Sequence, residues 1–363
     1  MAAATAGVER LVFAGGGTGG HIYPAVAVAQ ELQRRRKGVE VIFVGTGSPF
    51  EKRVVEGHGF TLMSVRSQGF LGRSLAAKAR SLFLTGVGLV QSLRLLTSLR
   101  PRAVIGVGGF ASGPVMAAAI LLRIPTMLQE QNYSPGLANR ILARWVDRIA
   151  VSFEETREQL GGRGEVTGNP IRIEFADVKP KARGETFALL VFGGSQGARP
   201  INDKMVEALP HLAPLRLALR IVHMTGEQDR EKVEAAYRAQ RLEAQVVPYL
   251  DDMAAEYARA DLVISRAGAT TVAELTACQK ASLLIPFAKA ANDHQRANAE
   301  KLGKAGAARV LAESELTGER LAQEIEALAR NPDRITAMER AAAPLARPDA
   351  TARVAELVEE LMT

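Results

Sequence analysis

Cysteine is nearly absent. Cys278 is the only one in 363 residues, which excludes an intramolecular disulfide and a cysteine-cluster metal site and fits a reducing compartment. Aromatic residues make up only 5% of the chain, and no nucleic-acid-binding motif accompanies its net charge of +7, so nucleic acid is not expected as a partner. His21, His58, His211, His223 and His294 stand singly, without ligand spacing, so neither a metal site nor another cofactor is expected. The stretch Met1 to Glu9 has neither the cationic nor the apolar region of a signal peptide; it reads as a frayed tail, and a cytoplasmic address is expected. Long apolar runs are missing too. Ala103 to Leu122 carries no charge, but Gly106, Gly108, Gly109, Gly113 and Pro114 interrupt it, which suits a strand, a tight loop and a helix start better than a membrane span.

Acid is missing from one long window. Gly57 to Gln129 holds no Asp or Glu in 73 residues, whereas 39 acids in 363 residues lead one to expect about eight. Up to Arg172 the chain has 21 Lys and Arg against 11 Asp and Glu, a balance of +10; the remainder has 25 against 28, or −3. Within the window Arg66, Arg73, Lys78, Arg80, Arg94, Arg100, Arg102 and Arg123 mix with Leu75, Leu82, Phe83 and Leu84. Basic and apolar residues together favour an anionic membrane surface. A nucleic-acid surface and a solvated helix face are the weaker readings.

What is present is ordinary globular usage, 47% hydrophobic and 23% charged, in a chain long enough for two domains. Apolar β-branched runs alternate with helical patterns, the signature of an α/β fold with parallel sheets. In the first half, strands are expected at Arg10–Ala14, Val39–Val44, Ala103–Val107, Thr126–Gln129 and Ile149–Ser152, with a helix at Tyr23–Arg36. A second set follows, with strands at Phe187–Phe192, Leu217–Met224, Gln245–Tyr249, Leu262–Ser265 and Ser282–Pro286, and helices at Ile201–Leu209, Arg230–Ala239 and Thr271–Ala277. Both periodicities break at Gly168 to Glu185, dividing the chain into domains 1–170 and 171–363, with the last helix able to pack back on the first.

Three glycine loops follow strands: Gly15–Gly20, Gly106–Pro114 and Gly193–Gly197. Such loops bring backbone amides and a helix dipole close to a phosphate, so a polyanionic ligand is indicated. The first contains G-x-G-x-x-G, but no acid ends the second strand to hold a ribose, which argues against a dinucleotide. His21 follows that loop at a helix start, where a neutral imidazole serves either as a general base or as a cap. Arg266–Thr271 follows another strand, with Glu274 placed either for ribose hydroxyls or for capping. Asp293, His294, Gln295 and Asn298 form a polar cluster suited to sugar hydroxyls.

GGGTGGH at Gly15–His21, GVGGFASGP at Gly106–Pro114, EQN at Glu130–Asn132, GNPIR at Gly168–Arg172, GGSQGAR at Gly193–Arg199 and RAGATTVAEL at Arg266–Leu275 fall in one order. In that order the chain closely resembles the MurG family of bacterial N-acetylglucosaminyltransferases, within the GT-B superfamily. The resemblance implies two Rossmann-like domains facing across a cleft. It implies transfer of N-acetylglucosamine from UDP-N-acetylglucosamine to an undecaprenyl-diphosphate-linked muramoyl-pentapeptide, at the cytoplasmic face of the bacterial inner membrane, with the enzyme bound peripherally and needing no metal. Thr18, Gly19, Gly20, Asn132, Arg172, Ser195, Leu250, Gly268, Ala269, Thr270, Thr271, Val272, Glu274 and Gln295 match the family's UDP-sugar positions. Thr18, His21, Phe110 and Asn132 fall on the acceptor side, and His21 matches the family's catalytic base. Two positions depart: Gln129 stands where the family often has histidine, and Phe110 where tyrosine is common. The implied mechanism is a single displacement by the acceptor 4-hydroxyl with inversion, the helix at Gly268–Thr271 and Arg172 stabilising the departing UDP. A UDP-N-acetylglucosamine 2-epimerase and a non-catalytic nucleotide-sugar binder are the alternatives.

Overall fold

The computed structural model describes residues 9–67, 75–182, 184–195, 197–215, 217–290 and 293–363, with the side chains of 75–82 excepted. Arg73, Gln196 and most of the N-terminal tail therefore lie outside the described residues, as do the side chains of Leu75, Lys78, Arg80 and Leu82. Two compact units form, one from the chain up to Arg172 together with Asp349–Thr363, the other from Ile173–Pro348.

The first unit runs β1 (Glu9–Gly15), α1 (Gly19–Arg35), β2 (Val39–Gly45), α2 (Pro49–Gly57), β3 (Thr61–Ser64), α3 (Leu75–Leu99), β4 (Ala103–Gly108), α4 (Ser112–Leu121), β5 (Thr126–Glu130), α5 (Leu137–Leu142), β6 (Arg148–Val151), α6 (Glu154–Gln159) and β7 (Glu165–Val166). The second runs β8 (Phe187–Phe192), α7 (Arg199–Leu212), β9 (Leu219–Met224), α8 (Arg230–Ala239), β10 (Ala244–Val247), α9 (Met253–Arg259), β11 (Leu262–Ser265), α10 (Ala269–Ala277), β12 (Ser282–Leu284), α11 (His294–Lys304), β13 (Ala308–Val310), α12 (Gly318–Ala329) and α13 (Pro332–Ala342). The last helix, α14 (Ala350–Met362), returns to the first unit.

Every strand pairing is parallel, and the strand orders are β3-β2-β1-β4-β5-β6-β7 and β10-β9-β8-β11-β12-β13. Strands covered on both faces need apolar side chains on both, which is why β1 and β8 read as unbroken apolar runs. Leu11 and Phe13 join the core beneath α1 and α14, whereas Val12 and Ala14 join the core beneath α3, α4 and α5. In α14, Val354, Ala355, Leu357, Val358 and Met362 bury one face against the first core, and Arg35 pairs with Glu359 at 3.3 Å beside it. The Thr351 hydroxyl donates to the Ile171 carbonyl at 2.8 Å. Each fully buried aliphatic side chain of that stripe contributes about 1.5 to 3 kcal/mol.

The uncharged stretch Ala103–Leu122 divides into β4, a tight loop and α4. Among the described residues, no helix is long and apolar enough to cross a membrane. The edge strands β3, β7 and β13 carry too few alternating residues to announce themselves. α1 starts four residues before its expected Tyr23, because Gly19 and Gly20 enter the first turn.

Candidate active site

An open parallel sheet binds ligands beyond the carboxyl ends of its strands, where the strand order reverses. That point lies between β1 and β4 in the first unit and between β8 and β11 in the second. All four glycine-bearing motifs sit there: Gly15–Gly20 leaves β1, Gly106–Pro114 joins β4 to α4, Gly193–Gly197 leaves β8, and Arg266–Thr271 leaves β11. Their spatial pairing follows from topology and is not visible in their spacing.

In the first unit the two loops touch backbone to backbone. Gly16 N–H donates to the Gly108 carbonyl at 3.2 Å. Gly109 has φ +82°, and a Cβ there would stand 2.3 Å from the Gly16 carbonyl oxygen, so both conformation and space demand glycine. Beneath the first loop lies Glu51, 1% exposed. Its carboxylate accepts from Gly17 N–H (2.8 Å), Gly47 N–H (2.6 Å), Ser48 N–H (3.0 Å) and the Thr46 hydroxyl (3.0 Å). Glu51 also completes a capping box with Ser48 at the start of α2. An acid therefore does stand near the end of β2, supplied by α2 and turned to the loop's own amides. The Gly17 amide of the first loop is therefore already engaged.

His21 is the third residue of α1, and its imidazole Nδ1 lies 3.2 Å from Gln131 Oε1. The other alternative, a ring that caps the helix, has no counterpart among its described contacts. Gly108 backs the ring, since a Cβ there would lie 2.9 Å from Cε1 and Nδ1. Thr18, Gly19 and Gly20 form the entry to the same helix, and Phe110, 61% exposed, rides on the adjoining loop. Asn132 is held by buried Glu130, which accepts from its backbone and side-chain N–H groups at 3.0 Å each and from Gly136 N–H and Asn139 Nδ2 at 2.9 Å each. Those bonds leave the Asn132 Oδ1 to accept from a ligand hydroxyl. Gln129 is 1% exposed inside β5 and finds no hydrogen-bond partner for either amide atom among the described residues, so that departure alters the interior of the unit. Arg172, 7% exposed, stacks its guanidinium 4.3 Å from the centre of the Tyr23 ring. Its expected contact with a leaving diphosphate has to be made from this stacked position.

In the second unit Gly268 caps α10 without a side-chain bond, and the first turn, Ala269 to Val272, carries no acid. Its amides and the dipole present a positive end. Glu274 is the sixth helical residue, which removes the capping-box reading, since that needs the third. It is buried and accepts from the Tyr257 hydroxyl at 3.5 Å. The polar cluster on α11 largely supports this loop. Asn298 Nδ2 donates to the Ala267 carbonyl at 3.0 Å, and Gln295 Oε1 accepts from Phe287 N–H at 3.0 Å. Arg266 pairs with Glu313 at 2.5 Å and donates to the carbonyls of Ile285 and Pro286. Ser195 follows Gly194 in the β8–α7 loop, and Leu250 follows β10, its N–H meeting Met224 Sδ at 3.3 Å.

Behind that β8–α7 loop lies a network that the sequence did not announce. The Asn202 amide donates to the Thr225 carbonyl and to Asp229 Oδ2, each at 2.9 Å. Its Oδ1 therefore accepts from His223 Nε2–H at 3.1 Å, and His223 Nδ1 accepts from the Tyr237 hydroxyl at 3.1 Å. Burial pushes His223 down to about 3 and the Tyr237 hydroxyl well above its usual range. The network ends against the loop itself, because a Cβ at Gly197 would stand 2.1 Å from the Thr225 carbonyl. A lone histidine on a strand carries no sequence signal of such a role.

Residues 11–151 match the glycosyltransferase family 28 N-terminal domain, and residues 188–360 match its C-terminal domain. The chain belongs to this family. Within family 28, it is 46% identical over 97% of its length to a UDP-N-acetylglucosamine–N-acetylmuramyl-(pentapeptide) pyrophosphoryl-undecaprenol N-acetylglucosamine transferase of Myxococcus xanthus, covering 93% of that protein. Its fold is similar to that of Acinetobacter baumannii MurG, with a TM-score of 0.76 at 31% identity, covering 97% of this chain and 99% of that one. A UDP-GlcNAc 2-epimerase of Neisseria meningitidis shares the fold at TM-score 0.68 over 97% of this chain and 100% of that one. Its 12% identity speaks to the fold alone. The family 28 assignment makes the chain a glycosyltransferase and sets the epimerase alternative aside.

Proposed function

We propose that this chain transfers N-acetylglucosamine from UDP-N-acetylglucosamine to the muramoyl 4-hydroxyl of undecaprenyl-diphosphate-linked muramoyl-pentapeptide, with inversion. The observation that carries the reading is His21, set on the rim of the first unit's switch point by Gly108 and Gln131 in a family 28 glycosyltransferase. The attacking hydroxyl gives its proton to the imidazole as it displaces UDP from the anomeric carbon. The amides at the start of α10 meet the charge that grows on the departing diphosphate. Determining the anomeric configuration of the product by NMR tests the displacement: inversion at the sugar is expected, and retention would overturn it.

Glu274 and Thr270 in α10 are proposed to hold the donor's uridine diphosphate. Glu274→Gln keeps the size of the side chain and removes its charge. A hydrogen bond to a charged group contributes about 1.5 to 3 kcal/mol, so the affinity for UDP measured by calorimetry should fall about ten- to a hundredfold. Unchanged affinity in the folded variant would reduce Glu274 to a partner of Tyr257.

The first unit is proposed to dock on an anionic membrane, where the acceptor's lipid tail is held. Support comes from the face made by α3, α4 and α5, which pack on one another in that order. Phe83 is 71% exposed, Leu121 65%, Trp145 59% and Ile141 51%, with Arg94, Arg123, Arg140 and Arg144 exposed among them. Exposed aromatic and aliphatic side chains mixed with arginine suit a headgroup layer. Each basic residue near the surface contributes about 1 kcal/mol, so replacing Phe83, Arg144 and Trp145 by Ser should weaken cosedimentation with anionic vesicles at least tenfold. Wild-type binding should weaken as salt rises. Equal, salt-insensitive binding to neutral and anionic vesicles would contradict the electrostatic part.

A further inference from the structure

We infer that Gln131 is a positioning residue that holds His21 in the tautomer with Nδ1 protonated and Nε2 free to take the proton. The inference rests on the base reading above and deepens it.

Gln131 directly follows the buried end of β5 and is 1% exposed. One end of its amide lies 3.1 Å from the carbonyl oxygen of Val107 in β4, and the other lies 3.2 Å from His21 Nδ1. A backbone carbonyl only accepts, so the end facing Val107 is the NH2 group. The end facing the imidazole is then Oε1, which also only accepts. His21 Nδ1 must therefore carry a proton to make the contact. A neutral imidazole has one ring proton, which leaves Nε2 with its lone pair.

Gly108, next to Val107, closes the other side of the clamp, because its missing Cβ is what lets the ring lie there. The same short piece of β4 thus fixes the ring position through Gly108 and its protonation pattern through Val107 and Gln131. A neutral amide differs from the carboxylate that orients histidine in Ser-His-Asp triads: it selects the tautomer without stabilising an imidazolium by charge.

Two variants separate these effects. Gln131→Met keeps length and apolar bulk but removes both polar ends, so the tautomer is no longer imposed. Gln131→Glu keeps an acceptor facing Nδ1 and adds charge, so the tautomer persists and the imidazole becomes harder to deprotonate, although its second oxygen meets the Val107 carbonyl acceptor to acceptor and that anchor is lost. The expected result for the Met variant is a turnover about ten- to a hundredfold lower, with the KM for the UDP-sugar nearly unchanged. The Glu variant should retain more activity than Met, with the acidic limb of its pH–rate profile moved to higher pH.

Nitrogen-15 NMR of the imidazoles, with the His21 signals assigned by their loss in His21→Asn, reads the tautomer independently of activity. Wild type and the Glu variant should show protonated Nδ1, and the Met variant a mixture or the opposite tautomer. If the Met variant kept the Nδ1-protonated form, or if wild type showed protonated Nε2, the inference would be overturned. If His21 proved dispensable for turnover while the tautomer still followed Gln131, the base reading would fail and the positioning would stand. Thermal unfolding of both variants within a few degrees of wild type guards against reading a folding defect as a lost contact.

Discussion

Replacing His21 by alanine lowers turnover about a hundredfold or more and leaves the affinity for UDP nearly unchanged. General-base catalysis contributes about 10²- to 10⁴-fold, and losing the group forfeits that range. The ring is held from three sides: Gly108 leaves room for it, Gln131 meets Nδ1, and α1 places it in the first turn. The groups proposed to hold UDP, Thr270, Glu274 and the amides of α10, stand in the second unit, so removing the imidazole leaves them intact. Steady-state kinetics with both substrates, beside UDP calorimetry, checks the split. Near wild-type turnover in the variant would remove the base assignment, and a large loss of UDP affinity would make His21 a binding residue.

The second large effect is on stability. His223 stays neutral in the folded protein down to about pH 3, whereas an unfolded histidine takes up its proton near 6.5. Between these values the unfolded chain binds more protons, so stability is full above about pH 6.5 and falls as pH is lowered towards 3. The slope approaches about 1.4 kcal/mol per pH unit, or about 3 kcal/mol by pH 4. The physical reason is desolvation: the ring is fully buried, and protonating it would place a positive charge where water cannot solvate it. His223→Gln can keep a donor to Asn202 and an acceptor for Tyr237 without titrating. Denaturant unfolding of both proteins at pH 7.5 and pH 4 should show the gap between them shifting by about 3 kcal/mol in favour of glutamine. Parallel losses in the two proteins would show that His223 is not the group responsible.

The alternation of apolar strands with helices made the two parallel sheets legible, because strands buried on both faces have to be apolar throughout. The glycine motifs were legible as loops for the same local reason, positive φ and close approach. What the sequence could not convey was contact across long separations. Glu51 caps α2, and its carboxylate also reaches 34 residues back to Gly17, a contact that no local pattern marks. Gln131 and His21 are 110 residues apart, and only the neighbouring of β1, β4 and β5 makes them partners. Gln295 and Asn298 read as sugar ligands because amides suit hydroxyls, but folding turns one amide group of each to a neighbouring backbone. The return of α14 to the first unit is written in an apolar stripe whose partner surface no local pattern specifies.

UDP release by the purified chain, followed with and without the lipid-linked muramoyl-pentapeptide, tests the central claim most directly. The account predicts that UDP appears only when the acceptor is present, in step with a product heavier by one N-acetylglucosamine. UDP release at the same rate without acceptor, or binding of the donor with no turnover under either condition, would contradict it.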